Sequence, residues 1–354
     1  MTLRVAVTGA SGNLGTSVLK ALADVPEVES VVGVARRRPS VDFPKVTWAT
    51  ANVAHDDLMP AFEGVDAVVH LAWAIQPSRD EALLQSVNVD GSRRVLEAAA
   101  ACGAGAFVHA SSVGAYAAIP RSEAERRVDE SYPASGIDTS IYSRQKAEVE
   151  SALDEFERGE NAMRVVRMRP ALIFKREAGA EIRRLFCGPF FPNAVLRKWR
   201  PPVVPVPSGL RMQCVHADDV GRAFAQAVIR DVHGAFNVAA EPQLSAADLA
   251  RIVGGRPVEV SPRALRALAY ASWRARLQPT PPGWLDLAMG APGMDASRAR
   301  AELGWEPRKN ATDTLCELIE GLADGAGAPT PPLDPQAGGR WRGRELRTGV
   351  GGRP

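Results

Sequence analysis

Cysteine, histidine and long apolar runs are scarce in this chain of 354 residues. The four cysteines stand far apart without a Cys-x-x-Cys pair, which argues against a disulfide framework and favours reduced thiols. Cys214 and His216 are near neighbours, but tetrahedral zinc needs further ligands, so we predict no metal site. No run approaches the roughly 20 apolar residues that span a bilayer, and no signal peptide is visible. A cytoplasmic protein that uses no membrane is expected.

An excess of charge of one sign is also absent. Lys and Arg total 43 against 41 for Asp and Glu, so nothing in the balance demands nucleic acid or an anionic membrane as partner. From about residue 326 the chain is rich in Pro, Gly and Arg, which predicts a disordered tail over 326–354. The alternative is that its arginines contact an anionic partner, which would make the chain a nucleic-acid binder.

Strand-like and helix-like segments alternate over the first half of the chain. Apolar runs at 3–7, 30–35, 45–49, 67–72 and 106–110 predict strands, and helical spacing at 13–23, 56–62 and 89–101 predicts helices. This alternation is typical of an α/β protein with a doubly wound parallel sheet of the Rossmann type. Later segments predict strands at 164–168 and 234–238 and helices at 263–277, 295–303 and 311–322. Ser245, followed by Asp248, resembles a capping box that opens one more helix through residue 252.

A glycine-rich turn lies between the first strand and the first helix. Glycine lets the backbone approach a pyrophosphate, and the helix N-terminus presents free N–H groups there. An ordinary turn is the alternative, but the position after an N-terminal strand favours a nucleotide site. The predicted dinucleotide contacts in this turn are Thr8, Gly9, Ser11, Gly12, Asn13, Leu14 and Gly15.

The end of the second strand indicates which dinucleotide is bound. An acidic residue there would accept hydrogen bonds from a ribose 2′-hydroxyl and favour NAD. Here the strand ends Val34-Ala35-Arg36-Arg37-Arg38, and guanidinium groups suit a 2′-phosphate. We therefore predict NADP, with Arg36 and Arg37 as contacts; the alternative is a solvated basic loop and NAD held otherwise.

Tyr142 and Lys146 stand four residues apart, which places them on one face of a helix. A nearby cation lowers the pKa of a phenol, so the pair can act as general base or acid on an alcohol or ketone. Ser111 and Ser112 follow the strand at 106–110, at the edge where open α/β sheets bind ligands. Of these two serines we choose Ser112 as the one whose hydroxyl could polarise a substrate oxygen. A serine hydrolase is disfavoured because no Gly-x-Ser-x-Gly elbow is present.

Together these motifs resemble the extended short-chain dehydrogenase/reductase family, also called the NAD-dependent epimerase/dehydratase family, to about residue 323. Further segments that are similar to family motifs are His70-Leu71-Ala72, Asn88-Val89-Asp90-Gly91, Arg169-Pro170-Ala171, Val215-His216-Ala217-Asp218-Asp219-Val220 and Leu303-Gly304-Trp305-Glu306-Pro307. The resemblance implies that Tyr142 is the acid/base, that Lys146 lowers its pKa and holds the nicotinamide ribose, and that Ser112 polarises the substrate oxygen. It also implies dinucleotide contacts at Asn52, Val53, Leu71, Ala72, Trp73 and Pro170.

The resemblance further implies a Rossmann domain over 1–170 plus about 212–240, and a smaller substrate domain over 171–211 plus 241–325. Relatives often pair through two helices of each subunit, so a homodimer is one option. Asn52 stands where many relatives carry an aspartate, which puts one adenine contact in doubt. Dehydratases follow the catalytic hydroxyl with Asp-Glu, whereas Val113-Gly114 follow Ser112 here, which argues against dehydration. The apolar segment 185–196 could line a substrate pocket, belong to the core or form a dimer contact.

The leading hypothesis is therefore an NAD(P)-dependent enzyme that transfers a hydride to or from a secondary alcohol or ketone carbon of a small molecule. Net dehydrogenation or reduction and epimerisation through a transient ketone both fit. The substrate is a sugar nucleotide or a more apolar alcohol. A dinucleotide-binding regulatory protein without catalysis is the alternative from another class, and retention of Ser112, Tyr142 and Lys146 argues against it.

Overall fold

A parallel sheet of seven strands forms the centre of the molecule. A computed structural model describes residues 2–160, 162–187, 202–278 and 280–336. The described strands are β1 Leu3–Thr8, β2 Val28–Ala35, β3 Val46–Thr50, β4 Ala67–His70, β5 Ala106–Ala110, β6 Arg127–Val128, β7 Arg164–Pro170, β8 Leu172–Phe174, β9 Val203–Pro207, β10 Arg211–Met212, β11 Cys214–His216, β12 Gly234–Val238, β13 Leu244–Ser245, β14 Arg256–Val260 and β15 Gly293–Met294. The central sheet has the order β12-β7-β5-β4-β1-β2-β3, and all its neighbouring pairs are parallel. This confirms the predicted Rossmann-type fold.

Helices cover both faces of this sheet, as right-handed crossovers between parallel strands require. The described α-helices are α1 Asn13–Ala23, α2 Met59–Phe62, α3 Glu81–Gln85, α4 Gly91–Ala101, α5 Ile141–Glu157, α6 Gly179–Ile182, α7 Ala217–Ile229, α8 Ala246–Val253, α9 Pro262–Arg274, α10 Gly283–Gly290, α11 Ser297–Leu303 and α12 Ala311–Asp324. Alternate residues of each strand enter opposite cores: Val5 and Val7 of β1 pack in one apolar cluster, and Ala6 packs in the other. No helix in the described part of the chain is long and apolar enough to cross a membrane.

The two helices α1 and α7 approach each other closely on one face. A Cβ atom on Gly221 would lie 2.6 Å from the backbone oxygen of Ser17, so only glycine permits this contact. The Ser17 hydroxyl also donates to Asp218 at the start of α7, at 2.5 Å. Because α1 begins at the glycine-rich turn, this packing fixes the direction of that turn.

The strand order reverses between β1 and β4. From β1 the chain continues to β2 and β3 on one side, whereas β4, β5, β7 and β12 fill the other side. Neighbouring loops therefore diverge at the carboxyl ends of β1 and β4, which leaves a crevice where sheets of this class bind ligands. The glycine-rich turn follows β1, and the segment that contains Trp73 follows β4.

Most predicted elements are present, with differences at the ends of helices. The predicted strands 106–110 and 234–238 and the helix 13–23 have the observed bounds, and the Ser245–Asp248 capping box is confirmed. The helix predicted at 56–62 begins only at Met59, because the carboxylate of Asp56 accepts from the N–H of Asn52 and holds that segment in a turn. The helix predicted to begin at 89 is preceded by α3, which Asp80 caps by accepting from the N–H of Leu83 at 2.9 Å.

The predicted disordered tail is wrong for residues 326–336. Leu333 is fully buried, and the N–H of Ala180 donates to the carbonyl of Ala326 at 2.9 Å, so this segment packs on the body of the protein. Proline and glycine are compatible with such an irregular but packed connection. Residues 337–354 and most of the apolar segment 185–196 lie outside the described residues. The division into two domains stays a prediction.

Candidate active site

The glycine-rich turn leaves the start of α1 open. Gly9 has φ +70°, and a Cβ there would lie 2.7 Å from the backbone nitrogen of Ala72. A Cβ on Gly15 would lie 2.3 Å from the carbonyl oxygen of Gly9, so these two glycines are required by the fold itself. At Gly12 the nearest atom to a Cβ is 3.4 Å away, and this residue caps α1 without a side chain. The uncapped N–H groups and the bare backbone at Gly12 therefore fit a pyrophosphate.

The polar side chains of the turn are partly committed to other contacts. The Thr8 hydroxyl bonds Nδ1 of His70 at 2.7 Å, and Nε2 of His70 bonds the Ser92 hydroxyl at 2.8 Å. Burial and the charge of Lys146 lower the pKa of His70 to about 3, so this bridge between β1 and β4 is neutral. Ser11 is buried, and Leu14 is half-buried against the core.

Asn13 connects the turn to the segment after β7. Its Nδ2 donates to the carbonyl of Ile173 at 3.3 Å, whereas its buried Oδ1 has no partner among the described residues. Lys175, which the sequence analysis missed, donates to the Asn13 carbonyl and to the hydroxyls of Thr16 and Ser17 at 2.7–3.1 Å. Burial lowers the pKa of Lys175 to about 8. An orphaned acceptor and a cation thus stand next to the predicted pyrophosphate site.

The predicted adenosine contacts lie at the ends of β2 and β3. The side chains of Arg36 and Arg37 are both exposed, and the pKa of Arg36 is lowered by partial desolvation of its guanidinium and by the charge of Arg37. No carboxylate within the described ranges pairs with either of them, so both guanidinium groups are available to a phosphate. Asn52 accepts from the N–H of Ala54 at 3.1 Å, and Val53 is buried.

Tyr142 and Lys146 lie in the first two turns of α5 and face the carboxyl edge of β5. Ser140 caps the helix, and the Ser143 hydroxyl donates to the carbonyl of Gly114 at 2.5 Å, which ties α5 to the loop after β5. A Cβ on Gly114 would lie 2.8 Å from the Tyr142 ring, so glycine is needed where the ring meets this loop. The Lys146 ammonium donates to the carbonyl of Ala110 at 2.7 Å and lies 5.9 Å from the Tyr142 ring centroid.

Ser112 is the serine that the structure brings to the phenol. It forms a side-chain hydrogen bond with Tyr142, and its hydroxyl accepts from the N–H of Gly114 at 3.0 Å. The hydroxyl of Ser111 instead donates to the Glu150 carboxylate at 2.5 Å on the other side of the strand end. The structure therefore places Ser112, Tyr142 and Lys146 together, as the sequence suggested, while their catalytic roles remain predictions.

Burial is the largest influence on the pKa of both Tyr142 and Lys146. Burial raises the pKa of Tyr142 to about 12, and the hydrogen bond with Ser112 opposes this effect. Burial also lowers the pKa of Lys146, which is 3% exposed. The Lys146 ammonium faces the indole of Trp73, 3.3 Å from the ring centroid.

Behind this pair lies a buried ion pair that the sequence analysis missed. Glu150 accepts two hydrogen bonds from Arg169, both at 2.9 Å, and its carboxylate also lies near Arg167. Burial alone would raise the pKa of Glu150, but the hydrogen bonds and charge of Arg169 hold it below its ordinary value. The spacing of Tyr142, Lys146 and Glu150, each four residues apart, could have indicated that all three share one helix face.

A cavity of about 300 Å³ opens at Tyr142. Its walls come from the segment after β4, from the start of α5 and from α9 and α10. The aromatic part of the wall consists of Tyr142, Tyr270, Trp273 and Trp284, and the Trp284 ring lies 5.1 Å from the Tyr142 ring. Arg266 at this cavity is paired with Asp286 at 2.8 Å. The cavity therefore offers flat apolar surfaces next to the Tyr142 side chain.

The remaining predicted contacts take positions around the crevice. The N–H of Leu71 donates to the carbonyl of Thr8 at 3.1 Å, Ala72 touches Gly9, and Pro170 ends β7 beside Val238 of β12. The cysteine and histidine considered as metal ligands have structural contacts: the Cys214 thiol donates to the carbonyl of Ala311, and Nδ1 of His216 accepts from the N–H of Asp218. Among the described residues there is no group of three side chains that could hold a metal ion.

The parallel sheet, the open glycine-rich turn and the Ser112–Tyr142–Lys146 cluster are features of the extended short-chain dehydrogenase/reductase class. The model of the NAD-dependent epimerase/dehydratase family matches residues 5–239, and the chain belongs to this family.

Relatives with sequence similarity do not define a substrate. An uncharacterized protein of Mycobacterium tuberculosis is 28% identical over 321 residues, which are 88% of this chain but 29% of that protein. This chain therefore spans less than a third of the length of that relative. The L-arabinose 1-dehydrogenase (NAD(P)(+)) of Haloferax volcanii is 37% identical over 110 residues, which are 31% of this chain and 41% of that enzyme.

Solved structures share the fold. The UDP-N-acetylglucosamine 4-epimerase of Methanobrevibacter ruminantium, in complex with UDP-N-acetylmuramic acid, superposes with a TM-score of 0.68 at 17% identity, covering 91% of this chain and 99% of its own. A short-chain dehydrogenase/reductase superfamily protein of Agrobacterium tumefaciens with bound NAD has a TM-score of 0.65 at 22% identity, covering 91% and 96%. At these identities the comparison establishes the architecture and not the ligand.

Proposed function

We propose that this protein transfers a hydride between a bound nicotinamide dinucleotide and a substrate carbon that carries a hydroxyl or keto oxygen. The observation that carries the proposal is the cluster of Ser112, Tyr142 and Lys146 at the carboxyl edge of the sheet, with Tyr142 also in the wall of a cavity of about 300 Å³. When bound, the dinucleotide supplies the hydride donor or acceptor. The chain itself supplies binding, orientation and proton transfer.

Each residue of the cluster has a distinct task in this proposal. The phenol of Tyr142 gives a proton to a keto oxygen during reduction and accepts one from a hydroxyl during oxidation. Ser112, which already bonds Tyr142, donates to the same substrate oxygen and stabilises the charge that develops there. Lys146, fixed by the carbonyl of Ala110, presents a free N–H to the ribose hydroxyls.

The side chains that line the cavity indicate which classes of substrate can bind there. Its aromatic side chains favour a flat or cyclic apolar group that stacks on Trp273, Trp284 or Tyr270. An apolar cyclic alcohol or ketone fits this surface, and so does the base of a sugar nucleotide, the ligand class named for the Methanobrevibacter ruminantium epimerase. Dehydration is not proposed, because Val113 and Gly114 follow Ser112 and offer no carboxylate to eliminate water.

A direct test supplies the purified protein and a nicotinamide dinucleotide with panels of sugar nucleotides and of cyclic apolar alcohols and ketones. A dehydrogenase or reductase changes the absorbance of the reduced nicotinamide, because the dinucleotide is converted with each turnover. An epimerase converts substrate, detected by NMR, without any net change in that absorbance. A protein that binds no nicotinamide dinucleotide and converts no compound in either panel would contradict the proposal.

We further propose that NADP is the preferred dinucleotide, since Arg36 and Arg37 end β2 and no acidic residue stands there. The double replacement Arg36→Ala and Arg37→Ala is expected to weaken NADP binding about 10- to 100-fold, because charge-assisted hydrogen bonds to the 2′-phosphate are lost. NAD binding should change by less than about threefold. Calorimetric titration of both dinucleotides measures the ratio, with Arg38→Ala as the neighbouring control. Equal weakening of NAD and NADP would contradict the assignment.

A further inference from the structure

The indole of Trp73 lies against both side chains to which proton transfer is assigned. The Lys146 ammonium is 3.3 Å from its ring centroid, and the Tyr142 ring meets it edge-on at 6.0 Å with an interplanar angle of 74°. Its indole nitrogen is buried and has no hydrogen-bond partner among the described residues. The indole packs against the apolar core between the sheet and its helices, so its position does not depend on a hydrogen bond.

The Lys146 ammonium has few other groups to stabilise its charge. One N–H donates to the carbonyl of Ala110, and the amine is almost completely removed from water, which lowers the pKa of Lys146. The charged or titratable groups that face this region are Tyr142 and Glu150 from α5, His70 from β4, His109 from β5, and Arg167 and Arg169 from β7.

Only one of these groups is an anion at neutral pH, and it is already paired. Glu150 accepts from both Arg169 and Ser111. Burial lowers the pKa of His70 and of His109, so both imidazoles are neutral, and the phenol of Tyr142 is protonated. Glu150 is shared by Arg169 and Arg167, and the other carboxylates nearby, Asp154 and Glu157, bind Arg167. Among the described residues, the π face of Trp73 is the electron-rich surface that touches the ammonium.

We propose that Trp73 is a positioning residue for Lys146: the face of its indole holds the lysine as an ammonium and turns its free N–H toward the nicotinamide ribose. The cation–π contact is a property of this structure, whereas the use of that N–H rests on the proposed function. With one N–H on the Ala110 carbonyl and one directed at the indole, a single N–H of the three is left for a ligand.

The first measurement is the titration of Lys146 itself. The chain has six lysines, so lysine labelled with carbon-13 at Cε gives few NMR signals, and Lys146→Arg identifies the one of interest. In Trp73→Leu the midpoint of the Lys146 titration is expected to fall by about one pH unit, because the π face is lost. In Trp73→Phe, which keeps a smaller π face and removes the indole N–H, the fall should be less than about half of that.

The matched control is Trp284→Leu. Trp284 also packs on the Tyr142 ring, at 5.1 Å, but within the described part of the chain the rings near the Lys146 ammonium are those of Trp73 and Tyr142, so the Lys146 titration should stay unchanged. An unchanged midpoint in Trp73→Leu, or an equal fall in Trp284→Leu, overturns the proposal. A rise in Trp73→Leu also overturns it, because the water admitted by the smaller side chain would then matter more than the lost π face.

The second measurement is dinucleotide affinity by calorimetric titration. Trp73→Leu is expected to weaken NADP binding about tenfold and Trp73→Phe less than about threefold, because a misdirected ammonium loses its bond to the ribose. A shifted titration with unchanged affinity overturns the part of the proposal that concerns the ribose. If instead the proposed function is wrong, the wild type binds no dinucleotide. The midpoint of the Lys146 titration should still differ between the wild type and Trp73→Leu in that case.

Discussion

Tyr142→Phe is expected to lower turnover about 10²- to 10⁴-fold while dinucleotide binding changes by less than about threefold. The substitution removes only the hydroxyl that bonds Ser112, and the ring that packs against Trp284 and Gly114 is kept. Without the Tyr142 hydroxyl, no other group of the cluster stands in its position to donate a proton to the substrate oxygen or to accept one from it. Steady-state turnover and calorimetric titration of the dinucleotide measure the two effects separately.

The dependence on pH supplies a second readout of the same side chain. Because burial raises the pKa of Tyr142 to about 12, the phenol is protonated throughout the neutral range. Reduction, which uses the protonated phenol, should be nearly independent of pH there, whereas oxidation, which uses the phenolate, should accelerate as the pH rises toward that value. Any residual activity of the variant should lack this rise.

Tyr132→Phe is the matched control for the loss of a phenol hydroxyl. The Tyr132 hydroxyl donates to the carbonyl of Ala118 at 3.3 Å and lies outside the Ser112–Tyr142–Lys146 cluster, so turnover should remain close to that of the wild type. Undiminished turnover in Tyr142→Phe would contradict the role of the phenol. Loss of dinucleotide binding together with a lower melting temperature would show instead that the ring had been displaced.

The central sheet could be predicted from the sequence because the local hydrophobic patterns agree with the overall fold. The apolar runs of β1, β4 and β5 are buried on both faces, and such runs are typical of parallel strands between two helical layers. The turn after β1 could also be predicted, since Gly9 and Gly15 are needed for backbone contacts that no other residue permits. The choice of Ser112 over Ser111 as the catalytic serine stays a prediction; in the structure Ser111 bonds Glu150 and Ser112 bonds Tyr142.

What the sequence missed depends on contacts between distant segments. From the sequence alone, Glu150 is one of several charged residues on a polar helix. It becomes buried and pairs with Arg169 only because β7 packs next to this helix. Trp73 was assigned to the dinucleotide by position, yet its contact with Lys146 depends on how the segment after β4 crosses α5. The burial that raises the pKa of Tyr142 and lowers the pKa of Lys146 could not be predicted from their spacing either, since proximity along a helix says nothing about burial.

Glu150→Gln is expected to lower the free energy of unfolding by about 3–5 kcal/mol, because it leaves the guanidinium of Arg169 buried without a counter-charge. The side chains of Glu150 and Arg169 are 4% and 7% exposed, so water cannot replace the lost partner. The Ser111 hydroxyl, which donates to the same carboxylate, also loses its charged acceptor. Urea unfolding followed by circular dichroism measures the change.

Glu155→Gln, on the same helix, is the control. Glu155 is 59% exposed and lies 3.7 Å from Arg93, so its replacement should cost less than about 1 kcal/mol. The folded pKa of Glu150 lies below the unfolded value of about 4.3, so its contribution is present above that pH and is lost as the pH falls through the folded pKa. The difference between wild type and Glu150→Gln should therefore shrink in acid. If Glu150→Gln and Glu155→Gln lower the free energy of unfolding by the same amount at neutral pH, the ion pair of Glu150 and Arg169 does not stabilise the region next to Ser112 and Lys146. The preorganisation of the site must then come from the backbone alone.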